Sequence, residues 1–357
     1  MRVLVLIASL GVAACPAATP NEGSFLETKY VRYVTDQPVT PCGGLARVTD
    51  KQVEYLFDLL GEPYAAPLSI EYDWAEDSSA LRCDKKVAGC AQATPEGASI
   101  SSLYLADLHE LAHATHLLTI GTSHPVLTEG FATYASNQPG VAIAQDPMIF
   151  IQTIEDMFVV GSVAAERYPI AARFVGMTIE RKGIDAFKKF WVGVPRNALL
   201  SEVRATYEEH FGEPWSDALT ALAVQEQAVF YDPYCEGDAL DVAEHLELTL
   251  TQTCEDDEVS GPLNSAGVVT GVLPIPIQLT SEGMYRFRLG DSDRTGPVTA
   301  LRGCSNGVAA PTPAISSFVP GDDITQYLGP GRYLLNVRVP LAPDAGHTIE
   351  IDIDLIH

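Results

Sequence analysis

Four of the chain's eight histidines fall between positions 109 and 124. The stretch 101–118, SSLYLADLHELAHATHLL, is rich in Ala and Leu and reads as helix. Ser101 or Ser102 is the expected N-cap and Gly121 the stop. On a helix, His109 and His113 are four residues apart, so their imidazoles leave one face and can grip one cation. Glu110 is offset by about 100°, where it can reach a water on that cation without binding the cation itself. His-Glu-x-x-His arises by chance about 0.01 times in a chain of this composition. The pattern therefore demands a helix here and a partner element carrying a further ligand.

Catalytic zinc takes three protein ligands and keeps a fourth position open. His116, His124 and Glu129 are the candidates for the third. Thr119 stands where HExxHxxGxxH would need a histidine, which excludes that arrangement. Glu129 lies in VLTEGFATY (126–134), after a turn-rich GTSHP (121–125) long enough to reverse the chain. A second helix beside the first would then present its carboxylate, completing a His2Glu set. His116 is expected to support or pack, and His124, before Pro125, to sit at a solvated rim.

The 357 residues include 47 acidic and 22 basic ones, a net charge of −25. No net positive field exists to replace phosphate counterions, so a generic nucleic-acid binder is excluded. The N-terminus reads as an export leader over 1–14: Met1-Arg2, a short apolar run, then Val12-Ala13-Ala14-Cys15. Those last four residues look like a bacterial lipobox, which makes Cys15 the lipidated first residue of the mature chain and the only expected membrane contact. Residues 15–27 read as a tether. Six other cysteines in an exported chain point to disulfides, with Cys83–Cys90 the favoured local pair.

Residues 28–238 mix strands (29–34, 68–74) with helices (49–60, then several from 103 to about 228). Residues 239–357 alternate apolar and polar positions between Gly and Pro, as in 283–289 and 333–339, and read as an all-β sandwich. The fold class is α+β followed by all-β. Asp291, Asp293, Asp322 and Asp323 offer Ca²⁺ ligands or, more simply, solvated turns.

HELAH (109–113) followed by LTEGFATY (127–134) resembles the gluzincin metallopeptidases, the thermolysin and aminopeptidase-N-like group with its small bacterial peptidase-MA-like relatives. The resemblance extends over roughly 100–230, including YPIAARFVGMTIERKGIDAFKKF from Tyr168. It implies a zincin-like domain, Zn²⁺ on His109, His113 and Glu129, and peptide-bond hydrolysis by a metal-activated water. Glu110 is then general base and acid, and Tyr168 the oxyanion donor, with Tyr134 and Tyr104 as rivals. Nothing matches an aminopeptidase's Gly-x-Met-Glu-Asn, so an endopeptidase acting on protein or peptide is expected, as a monomer in the cell envelope. The strand near Ala98–Ser102 is expected to pair with an extended substrate. The alternatives are a non-catalytic envelope lipoprotein that binds a partner or wall polymer, and a hydrolase of cell-wall amides.

Overall fold

The computed structural model describes residues 24–35, 40–75, 77–83, 87–136, 146–224, 233–236, 238–265, 268–291, 299–304, 321–340 and 347–356. The expected leader, Cys15 and Asp293 lie outside the described residues. The architecture is mixed α and β. A first sheet orders its strands β1-β2-β3-β5-β4: β1 (Ser24–Glu27), β2 (Val31–Val34), β3 (Ile70–Trp74), β4 (Gly89–Thr94) and β5 (Gly97–Ser102). β2, β3 and β5 run parallel, while β4 folds back antiparallel on β5 and forms one edge. β1 takes up the end of the expected tether, because Ser24 and Glu27 pair with Val34 and Arg32.

α1 (Leu45–Leu60) starts one turn before the expected Thr49 and buries Leu45, Val48, Val53, Leu56, Phe57 and Leu60 on one face. Gly61, at φ 62°, ends it in the left-handed region that glycine adopts without strain. Leu45, Val53 and Phe57 share a core with Tyr33, Ile70, Tyr72 and Ile100 of the sheet, while Leu56 and Leu60 join the helical core.

Seven helices follow: α2 (Leu108–Leu118), α3 (Pro125–Ala135), α4 (Pro147–Val160), α5 (Tyr168–Lys182), α6 (Ile184–Gly193), α7 (Leu200–Phe211) and α8 (Trp215–Val224). They share an apolar core around Phe131, Phe158, Phe174, Trp191 and Trp215. α2 does not begin at Ser101 or Ser102. Both serines belong to β5, paired with Asp73 and Trp74, and sheet pairing holds them out of the helix. Asp107 caps α2 instead; its carboxylate accepts from the Glu110 N–H at 3.3 Å and from Ser102 Oγ at 2.7 Å. α3 and α5 approach closely at Gly130, where a Cβ would lie 2.6 Å from the Ala171 carbonyl oxygen.

From Leu240 onward the described elements are all strands: β6 (Leu240–Val242), β7 (His245–Gln252), β8 (Ser260–Ser265), β9 (Val268–Leu279), β10 (Gly283–Asp291), β11 (Thr299–Gly303), β12 (Asp323–Leu328), β13 (Gly331–Pro340) and β14 (His347–Ile356). They form the sheets β12-β10-β14-β7 and β11-β13-β9-β6, with β8 added on β9. Tyr285, Phe287 and Leu289 from one sheet share a core with Ile275, Ile277, Tyr333 and Leu335 from the other. Among the described residues, Asp322 and Asp323 join no group of three candidate metal ligands.

Three disulfides form: the expected Cys83–Cys90, and also Cys42–Cys254 and Cys235–Cys304. Cys42–Cys254 ties the segment before α1 to the β region. Beside it, the Gly43 and Gly44 N–H groups donate to the carbonyls of Cys254 and Val259 at 2.8 and 2.9 Å.

Candidate metal centre

α2 and α3 bring three ligand atoms to one point. His109 Nε2 and His113 Nε2 are 3.0 Å apart, and Glu129 Oε2 lies 3.3 Å from the first and 3.4 Å from the second. Four ligands held tetrahedrally about 2.0–2.1 Å from one zinc stand roughly 3.3 Å from one another, so this triangle fits that ion. Of the three candidates for the third position, Glu129 is the one that joins the two Nε2 atoms.

The histidines are aimed by partners behind them. His116 Nδ1 lies 2.9 Å from the Gly121 carbonyl oxygen and can only donate to it. Its Nε2 must then accept, at 3.0 Å, from His113 Nδ1, which leaves the His113 Nε2 lone pair facing the cluster. On His109, Thr133 Oγ1 lies 3.5 Å from Nδ1, on the side away from the cluster. Thr133 follows Glu129 by one helical turn of α3, a spacing that makes it legible in the sequence once Glu129 is placed.

Glu110 is buried next to the triangle, and its Oε2 has no hydrogen-bond partner among the described residues. Burial pushes its carboxyl up to about 8, with Asp107 and Glu129 adding to the rise and His113 opposing it. Burial also works against an ionised Glu129, but hydrogen bonds to His109 and His113 win and hold it well below the ordinary carboxylate range. Burial disfavours a charged His113, yet Glu129, Glu110 and Asp107 together raise it. A buried, unpaired carboxylate oxygen beside three converging donors is a place that favours positive charge.

Tyr168, the first residue of α5, stacks on His109 with ring centroids 5.4 Å apart and planes 4° from parallel. Burial and the neighbouring Glu129 keep its phenol protonated far above the usual range. Of its rivals, Tyr134 is buried in the helical core, and Tyr104 is exposed on the wall of the same cleft. His124 is fully buried rather than solvated. Pro125 holds it extended (φ −60°, ψ 142°), so its ring turns back to accept the Val126 N–H at 3.3 Å and caps α3.

The triangle opens into a cleft of ≈ 1180 Å³. The strand expected to offer a free edge, Ala98–Ser102, is paired on both sides. Edge strand β4 lines the cleft instead, through Gly89, Cys90, Ala91 and Gln92. Gly89 carries no sequence signal of a role, yet a Cβ there would meet Glu110 Cγ at 2.9 Å.

No family model matches the chain, and no curated protein does. Solved structures with partial likeness include the pre-peptidase C-terminal domain of collagenase from Bacillus anthracis (9% identity, 33% of this chain and 95% of that one, TM-score 0.22). Others are the Yersinia pseudotuberculosis-derived mitogen (12%, 32% and 88%, 0.22) and the Aeromonas hydrophila PliG, a periplasmic inhibitor of g-type lysozyme (13%, 33% and 96%, 0.21). Likeness at this level bears on neither the site nor its chemistry.

Proposed function

We propose that the chain is a zinc-dependent metallopeptidase of gluzincin type, with a zincin-like domain over 28–238 and a β-sandwich accessory domain over 239–357, exported and lipid-anchored at Cys15 in a bacterial envelope. One observation carries this reading: two imidazole nitrogens and a carboxylate oxygen stand 3.0, 3.3 and 3.4 Å apart beside the unpartnered Glu110. His109, His113 and Glu129 would hold the ion. Zinc so held supplies a Lewis acid and lowers the pKa of water.

The chain's own groups then divide the work. The free edge of β4 aligns an extended peptide through main-chain hydrogen bonds. Glu110 takes the proton of the attacking water and returns it to the leaving amine. The protonated Tyr168 phenol donates to the developing oxyanion. His116, Thr133 and Asp107 orient the groups that act. Three disulfides in the chain suit an oxidising compartment.

The test is metal content and peptide hydrolysis in the native chain and in Glu110→Gln. Equimolar zinc in both, with hydrolysis in the native chain alone and abolished by chelator, is the expected result. Hydrolysis surviving in Glu110→Gln, or zinc absent from the purified native chain after incubation with the metal, defeats the reading. A parallel panel of proteins and peptidoglycan stem peptides separates general proteolysis from cell-wall amide hydrolysis.

A further inference from the structure

A second cavity of ≈ 670 Å³ lies where the end of α4, the start of α3 and the segment before α7 meet. Its walls are largely apolar, including Phe158, Val159, Ala198 and Leu200. Arg196 belongs both to this wall and to the wall of the cleft that holds His109, His113 and Glu129.

The cleft is lined by two described arginines, and they differ. Arg82 is committed, with Nε 2.9 Å from Asp73 Oδ2. Arg196 is exposed and forms no ion pair among the described residues. Acidic residues outnumber basic ones 47 to 22, so internal partners for a free guanidinium are abundant. One left unpaired at the junction of two cavities is available to a ligand. Its planar fork of donors matches a carboxylate in two-point geometry. Among the described residues that line the cleft, no other guanidinium is free. A carboxylate on the ligand therefore meets a free guanidinium at one end of the cleft, which also fixes the direction in which a peptide lies.

We propose that Arg196 is a specificity-determining residue that reads a carboxylate on the substrate, seated next to an apolar side chain in the second cavity. This rests on the peptidase reading of the neighbouring site, because the carboxylate belongs to a peptide laid through the same cleft. It can come from the peptide's C-terminus or from an Asp or Glu side chain.

The experiment uses one peptide sequence in four forms: a terminal carboxylate or amide, combined with Glu or Gln at one inner position. Binding is read by fluorescence anisotropy on the zinc-loaded Glu110→Gln chain, and hydrolysis on the native chain. The carboxylate-bearing form is expected to bind roughly three- to tenfold tighter than its neutral counterpart, with the ratio shrinking at high salt. Arg196→Gln should bring the ratio to one, and Arg196→Glu should invert it. The substitution that produces the ratio identifies the carboxylate's source.

Equal binding of all four forms, or an undiminished ratio in Arg196→Gln, overturns the proposal. Carboxylate-dependent binding without hydrolysis sustains it while defeating the peptidase reading. Hydrolysis without carboxylate preference does the reverse. A chain that neither binds nor cleaves any form defeats both.

Discussion

His116 Nε2 lies 3.0 Å from His113 Nδ1, and the other ring nitrogen of His116 is held by the Gly121 carbonyl. Burial drives the His116 imidazole down to about 3, so it stays neutral and its acceptor nitrogen persists. Replacing it removes the group that sets the His113 tautomer but leaves all three proposed ligands. His116→Phe should weaken zinc binding about 10–100-fold in a chelator competition. His116→Gln, whose amide oxygen can still accept, should recover part of that loss. Unchanged zinc affinity in His116→Phe would show that the relay does not orient His113.

Gly89 stands against the general base. A methyl group there would sit 2.9 Å from Glu110 Cγ and 3.1 Å from Asp107 Oδ2. Gly89→Ala should push the Glu110 carboxylate off its position while β4 stays paired. Displacement by about 1 Å costs on the order of 10²-fold in turnover, so kcat should fall by that amount with zinc content unaltered. A fully active Gly89→Ala chain would place the base elsewhere.

Tyr168→Phe keeps the ring stacked on His109 but deletes the phenol. If the hydroxyl stabilises the oxyanion, kcat should drop about 10²–10³-fold with little change in KM or zinc affinity. A drop in melting temperature with no loss of kcat would instead mark Tyr168 as a packing residue.

His124 provides a pH signature remote from the triangle. Burial lowers its imidazole from 6.5 to about 4 in the folded chain. Between those values the unfolded chain binds the extra proton, so stability falls as pH drops through 6.5 toward 4. The change between pH 7 and pH 5 is of order 1–2 kcal/mol. His124→Asn retains an N-cap acceptor for Val126 but does not titrate. Its denaturation midpoint should therefore decline less than the native one over that range; parallel declines would exclude His124 as a source of acid sensitivity.

The site was legible in the sequence to the extent that its geometry is helical. The i, i+4 spacing of His109 and His113 places both rings on one face whatever surrounds them. Glu129 was one of three candidates by composition, and it was singled out by the motif around it. The edge role passed from β5 to β4 because strand order in a sheet is decided by pairing between distant segments. The start of α2 moved from Ser101 to Asp107 for the same reason: β3 claims the two serines. His124 looked exposed because a His-Pro turn usually is; here Phe158 covers it, with ring centroids 4.8 Å apart.

By itself the sequence determined what depends on neighbours along the chain: helical and alternating periodicity, the shared face of the two histidines, and the local Cys83–Cys90 bridge. Tertiary structure alone decided which groups stand behind those histidines, which glycine makes room for Glu110, and which arginine remains unpaired at the cleft. Periodicity is written in spacings of two to four residues. The close approach of α2, α3, α5 and β4 comes from burying a common core, and no single segment encodes it.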